Sequence, residues 1–209
     1  MRKFIASVLL SVLLAAAIAC TGLSLSTPAR AGFLDDILTG PKTLIERAIE
    51  ARSSSDILTD NEIVIKINAI MVDLGTIQAS TEIYEQRLLV TGLFDDEELY
   101  EEFRDRVEQV EDVRELFWHV RYMSEEDQEA NEAEMLDWTD AVELDARVGF
   151  SLIETAGIAD VNLRVAVDAF ANVFVLGRAR SDEELQKAIE VSSETEGVGV
   201  VINYIEMRP

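Results

Sequence analysis

RLLVTGLFDDEEL (residues 87–99) and NVFVLGRARSDEEL (residues 172–185) are two versions of one unit. In each, a short apolar strand runs into a glycine, Gly92 or Gly177, and an acidic helix start ending in Glu-Glu-Leu follows. The match extends outward. Gly92 and Gly177 are 85 positions apart (177 less 92), as are Val113 and Val198 (198 less 113). A tandem repeat of this kind sets the architecture before any single residue does.

Around the first glycine, Ile63, Ile67, Ile70 and Leu74 recur at helical spacing, with Asp60 placed to cap the helix and Gly75 to stop it. TIQASTEIYEQRLLVTG alternates and turns near Glu85-Gln86, the pattern of a hairpin. Asp95 or Asp96 can cap a second helix with Leu99, Phe103, Val107 and Val110 as its buried stripe, and a third strand carries Leu116, Trp118, Val120 and Tyr122 on one face. The second copy repeats the order. Leu144, Val148 and Leu152 mark its first helix, which Gly157 ends, and Val161, Leu163, Val165 and Val167 share one face of its hairpin. Ser181 caps the next helix, whose Leu185, Ala188 and Ile189 face inward, and GVGVVINYIEM is the last strand.

Each unit therefore reads helix–strand–strand–helix–strand. The helical crossover makes the second and third strands parallel, whereas the hairpin is antiparallel. Both amphipathic helices must cover the same sheet face, because they have nowhere else to bury their stripes. The expected fold is α+β: two tandem small αββαβ domains, each a three-stranded mixed sheet covered by two helices. At roughly 70 residues, each unit is near the lower limit for an independent core.

Residues 1–31 read as a signal peptide: Arg2 and Lys3, an apolar run, Pro28, then Ala29-Arg30-Ala31 as a small-x-small site. Cleavage is expected after Ala31; the alternative is lipidation of Cys20, the one cysteine, within AIAC. No second apolar run follows, so no transmembrane segment is expected in the mature chain. Residues 32–55 form a lead-in helical segment, 56–123 the first domain, 124–136 an acidic linker and 137–209 the second domain.

The formal charge is −23. Residues 1–31 carry three bases and no acids, so cleavage leaves 15 bases against 41 acids, or −26. Such a field repels nucleic acid, and none is expected as a partner. The chain holds a single histidine, His119, which alternation places opposite Trp118, facing solvent or a domain contact. No nucleophile and oriented base occur in a recognisable pattern, so no enzymatic activity, cofactor or metal site is expected. The carboxylates of Asp95–Glu98 and Asp182–Glu184 sit where they complement helix dipoles. Trp118 and Trp138 bracket the linker and are expected to pack in a core or between the domains, the alternative being an exposed aromatic patch for a partner.

The aspartate-opened apolar helix, the strand ending in glycine, the acidic helix start and the closing EGVGVVINYIEM with Asn203 together resemble the BON domain, named for bacterial osmotic-stress and nodulation proteins. The second copy keeps the closing motif. The first departs from it, with Asp112 for the glycine and Trp118 for the asparagine. The resemblance implies a dual-BON protein of the periplasm or outer membrane, tied to envelope integrity and osmotic stress. Its partner would be phospholipid or an envelope protein, bound peripherally. The alternative is a protein–protein scaffold without lipid binding, and the alternative location is an outer-membrane lipoprotein anchored through Cys20. Within this frame Arg178 and Arg180, with Lys187 beyond them, are the candidate lipid or anion contacts, because the first copy has Leu93 and Asp95 in the corresponding loop.

Overall fold

Ser53 opens the first element by a capping box: its hydroxyl accepts the Asp56 N–H while the Asp56 carboxylate accepts the Ser53 N–H. In the computed structural model, which describes residues 50–208, helix α1 spans Ser54–Leu74 and ends at Gly75, whose φ of 69° is left-handed. Cys20, the Ala31 cleavage site and residues 32–49 of the lead-in lie outside the described residues. Strands β1 (Ala79–Tyr84) and β2 (Arg87–Phe94) follow, then α2 (Glu97–Glu108) and β3 (Glu115–Tyr122). A short helix α3 (Glu125–Asn131) and a 3-10 turn lead to the second unit: α4 (Trp138–Glu154), β4 (Leu163–Val167), β5 (Asn172–Ala179), α5 (Asp182–Glu194) and β6 (Val200–Met207).

The topology is the expected one, twice. β1 and β4 pair antiparallel with β2 and β5, which pair parallel with β3 and β6 across the crossover helices. Asp96 and Ser181 cap the crossover helices as the sequence suggests. Asp60 does not cap α1. The helix begins at Ser54, and Asp60, buried in its second turn, instead accepts the N–H groups of Glu85 and Gln86 at 3.0 and 2.7 Å. Both of those residues have positive φ, 52° and 61°, which a two-residue hairpin of this hand requires and which glycine normally supplies. Arg52 closes the arrangement with a 2.9 Å ion pair to Asp60. In the second unit Asp168 has the corresponding role, accepting the N–H groups of Phe170 and Asn172 in a longer loop.

Gly92 and Gly177 occupy equivalent places on the central strands, opposite Ala79 and Leu163. A Cβ at Gly92 would meet the carbonyl of Gln78, and one at Gly177 the carbonyl of Asn162. The glycines are there for close backbone approach.

Each sheet buries one face under its own helices. Ile63, Ile67, Leu88, Val90, Phe103 and Val120 centre the first core; Leu144, Val148, Val173, Val175, Ala188 and Ile205 centre the second. The opposite faces meet each other. Tyr84 and Leu89 of the first sheet and Ala166, Phe174 and Leu176 of the second form a third buried layer, flanked by Phe117, Ile202 and Tyr204. The central strands are thus buried on both faces, giving a helix–sheet–sheet–helix sandwich. His119 lies in this layer, at the domain contact: its Nε2 is 2.8 Å from the Tyr204 hydroxyl and its ring 4.2 Å from that of Phe174. Burial holds it below the usual histidine pKa. Arg87 seals one rim, reaching Glu115 at 3.0 Å, Glu206 at 3.3 Å and the Gly177 carbonyl at 3.4 Å.

At another rim a hollow of about 400 Å³ brings together Glu82 of β1, Asp145 of α4 and Arg164 of β4. Burial, reinforced by the Asp145 charge, pushes Glu82 up to about 7; burial pushes Asp145 up to about 6. Asp145 Oδ1 is buried without a hydrogen-bond partner. Both carboxyls bind protons more tightly folded than unfolded, so their stabilising contribution is complete below the ordinary carboxylate pKa of about 4 and is lost as pH rises through 6 to 7. Glu184 runs the other way. Burial opposes its ionisation, but the Ala159 and Arg180 N–H groups and the Arg180 side chain together hold it below its usual value, so its contribution is lost under strong acid. The two carboxyls should therefore raise stability between pH 8 and pH 5 by on the order of 3 kcal/mol, partly offset below about pH 6.5 by His119, whose lowered pKa favours the unfolded state there. Urea midpoints across that range test this. Combining Glu82→Gln with Asp145→Asn should flatten the rise, and a midpoint that falls steadily from pH 8 to 5 would contradict the assignment.

Candidate binding groove

The acidic linker is folded against both units. Ser124 caps α3, Gln128 donates from Nε2 to the Met123 carbonyl, and the Leu136 N–H donates to the Ala169 carbonyl at 2.7 Å. Leu136 packs on the second core, and Asp137 caps α4 by accepting the Asp140 N–H. The linker thereby walls a groove of about 710 Å³.

One side of the groove comes from the first unit: Ile77, Gln78, Thr91, Gly92 and Leu93. The linker adds Met135 and Leu136, and the second unit adds Trp138, Ala141 and Val167. Trp138 and Ile77 are 59% and 63% exposed, so two large apolar side chains stand unburied at one concavity. Trp138 thus departs from the expected core or interdomain packing, whereas Trp118 lies in the first core, 5.6 Å from the ring of Phe103. Gln78 stands on this wall, with its Oε1 buried without a hydrogen-bond partner and its amide nitrogen donating to Asp95. Five carboxylates line the groove, from Glu129, Glu132, Asp137, Asp140 and Asp168, and no Lys or Arg does. Asp137 and Asp168 serve as backbone caps; Glu129, Glu132 and Asp140 are exposed.

The basic residues marked in the sequence do not line the groove, and each has an acidic partner. Arg178 donates from Nε to the Arg208 carbonyl and sits 3.8 Å from Glu85. Arg180 pairs with Glu184 at 3.2 Å, and Lys187 with Glu183 at 3.9 Å. A wide hollow at the start of α2 is lined by carboxylates alone, Asp95 to Glu98, Glu101 and Glu125. Among the described residues no group of three or more His, Cys, Asp or Glu is placed to hold a metal. No helix among them is long and apolar enough to cross a membrane.

On the closing strand of the second unit Asn203 is turned back so that its Oδ1 accepts the Ile205 N–H at 2.8 Å. Residues 140–209 match the BON domain family. The BON match thus takes in β4 to β6, α5 and nearly all of α4, and with them the second-unit wall of the groove from Asp140 onward. Two solved structures of CdsD, a structural protein of the type III secretion system of Chlamydia trachomatis, are similar to the chain at 10% identity and a TM-score of 0.29. They cover 71% of this chain and 93% and 98% of their own, the second being the C-terminal domain. No curated protein matches the sequence.

Proposed function

We propose that this is an exported, non-catalytic binding module of the cell envelope, built from two BON-type units and acting in the periplasm in envelope maintenance under osmotic stress. The first unit is read as a second BON domain because it repeats the order, the strand pairing and the glycine position of the matched one. Recognition is assigned to the groove between the units. The observation that carries this is the pair of exposed apolar side chains, Ile77 and Trp138, contributed by different units to one concavity. A protein partner fits better than phospholipid, since the groove is lined by carboxylates and the mature charge is −26. Phospholipid is the second reading, through Arg178, Arg180 and Lys187, which follow the glycine only in the second unit.

Immobilised chain from residue 32 onward should capture an envelope protein, and Trp138→Ala should lose it while Arg178→Glu with Arg180→Glu keeps it. Flotation with anionic and neutral liposomes, with and without magnesium, should leave the protein at the bottom of the gradient. Co-flotation abolished by the double Arg variant would transfer the function to lipid.

A further inference from the structure

Resting on that reading of the groove, we propose that its occupant is a cationic amphipathic peptide segment of a partner protein: an aliphatic or aromatic anchor flanked by Lys or Arg. The apolar surface is local. Trp138, Ile77, Leu93 and Met135 line a hollow of about 710 Å³, a volume suited to a few side chains and not to a whole domain. Trp138 can lie along such an anchor with little loss of side-chain freedom, which is why tryptophan so often dominates interfaces.

The acidic charge is equally local. Glu129, Glu132 and Asp140 stand exposed around the apolar floor, and no basic side chain lines the groove to neutralise them. Their field favours a partner bearing positive charge beside its anchor and speeds its arrival. An anionic lipid surface or an acidic peptide would meet repulsion from the same three carboxylates.

The whole surface is acidic, so specificity depends on the coincidence of charge with the exposed tryptophan. The hollow at the start of α2 shows the contrast, because it is lined by carboxylates with no apolar side chain among them. A cationic peptide held by charge alone would use both places. One held as proposed would use only the groove.

The test uses the chain from residue 32 onward and a peptide of about twelve residues with Leu and Lys in amphipathic order, beside counterparts in which Gln or Glu replaces Lys. Trp118→Phe leaves Trp138 as the one tryptophan, and its emission should shift to the blue with the Lys peptide. Calorimetry should show at least about tenfold weaker binding for Trp138→Ala. Glu132→Gln with Asp140→Asn should weaken binding several-fold and flatten its dependence on salt between about 50 and 300 mM. Glu97→Gln with Glu101→Gln should leave the affinity unchanged. Equal binding of the Gln peptide would overturn the cationic assignment while leaving the groove as the recognition surface. A blue shift with anionic vesicles and none with the Lys peptide, or no shift with any probe, would overturn both. Binding of the Lys peptide that survives Trp138→Ala undiminished would show attraction by general acidity and overturn the proposal.

Discussion

Phe174→Asp is expected to unfold both units, although the residue belongs to the second. Phe174 is buried in the layer between the sheets, beside Leu176, Tyr84 and Leu89, with the His119 ring 4.2 Å away. Removing a buried phenylalanine costs about 3–5 kcal/mol. Leaving an unpaired carboxylate in its place adds several more, and the sum rivals the 5–15 kcal/mol of a typical whole domain. The first unit cannot escape, because Tyr84 and Leu89 would lose the surface that covers them. Trp118 offers a readout in the other half of the molecule. In a Trp138→Phe background its fluorescence reports the first core alone, and Phe174→Ala, the milder change, should lower the urea midpoint read there. A midpoint unchanged at Trp118 would mean that the units fold independently.

Gly177→Ala is the second large effect. Gly177 has φ 146°, a backbone conformation that L side chains rarely adopt, and an added Cβ would run into the Asn162 carbonyl and the Leu163 Cα. Strain and collision act together, so a loss of about 3 kcal/mol or more is expected. Gly92 suffers the collision, with Gln78, but its φ is not in that region, so Gly92→Ala should cost less. Paired thermal melts decide the order. Equal and small losses would show that the hairpin backbones can move aside.

Most of the fold is legible in the chain because each unit is locally consistent: period-3.6 stripes, capping residues and a repeated glycine all point to one answer. Two features escaped for physical reasons. Asp60 reads as a cap because aspartate before an apolar run usually is one, yet it is needed 25 residues away, where Glu85-Gln86 turns without glycine. The face-to-face packing of the sheets is less plain in the sequence, although it leaves a trace: RLLV and NVFVL are apolar at consecutive positions, the mark of strands buried on both faces. His119 is at home in that layer for the same reason. The groove was harder to see, since its walls come from three separate segments. Its one local signal is Met135-Leu136-Asp137-Trp138, where apolar residues interrupt an acidic run with no helical stripe to account for the tryptophan. The contrast between Leu93 and Asp95 on one side and Arg178 and Arg180 on the other does distinguish the copies, and in the structure those arginines are engaged by Glu85 and Glu184.

On the proposed reading, recognition occurs at a surface that both units build together. Hydrogen exchange of the chain from residue 32 onward, with and without saturating Lys/Leu peptide, tests it most directly. Protection should appear together at residues 91–93 of the first unit, 135–141 around Trp138 and 167–169 of the second, with none at residues 178–187. Protection confined to one unit, or centred on Arg178 and Arg180, would contradict a shared surface.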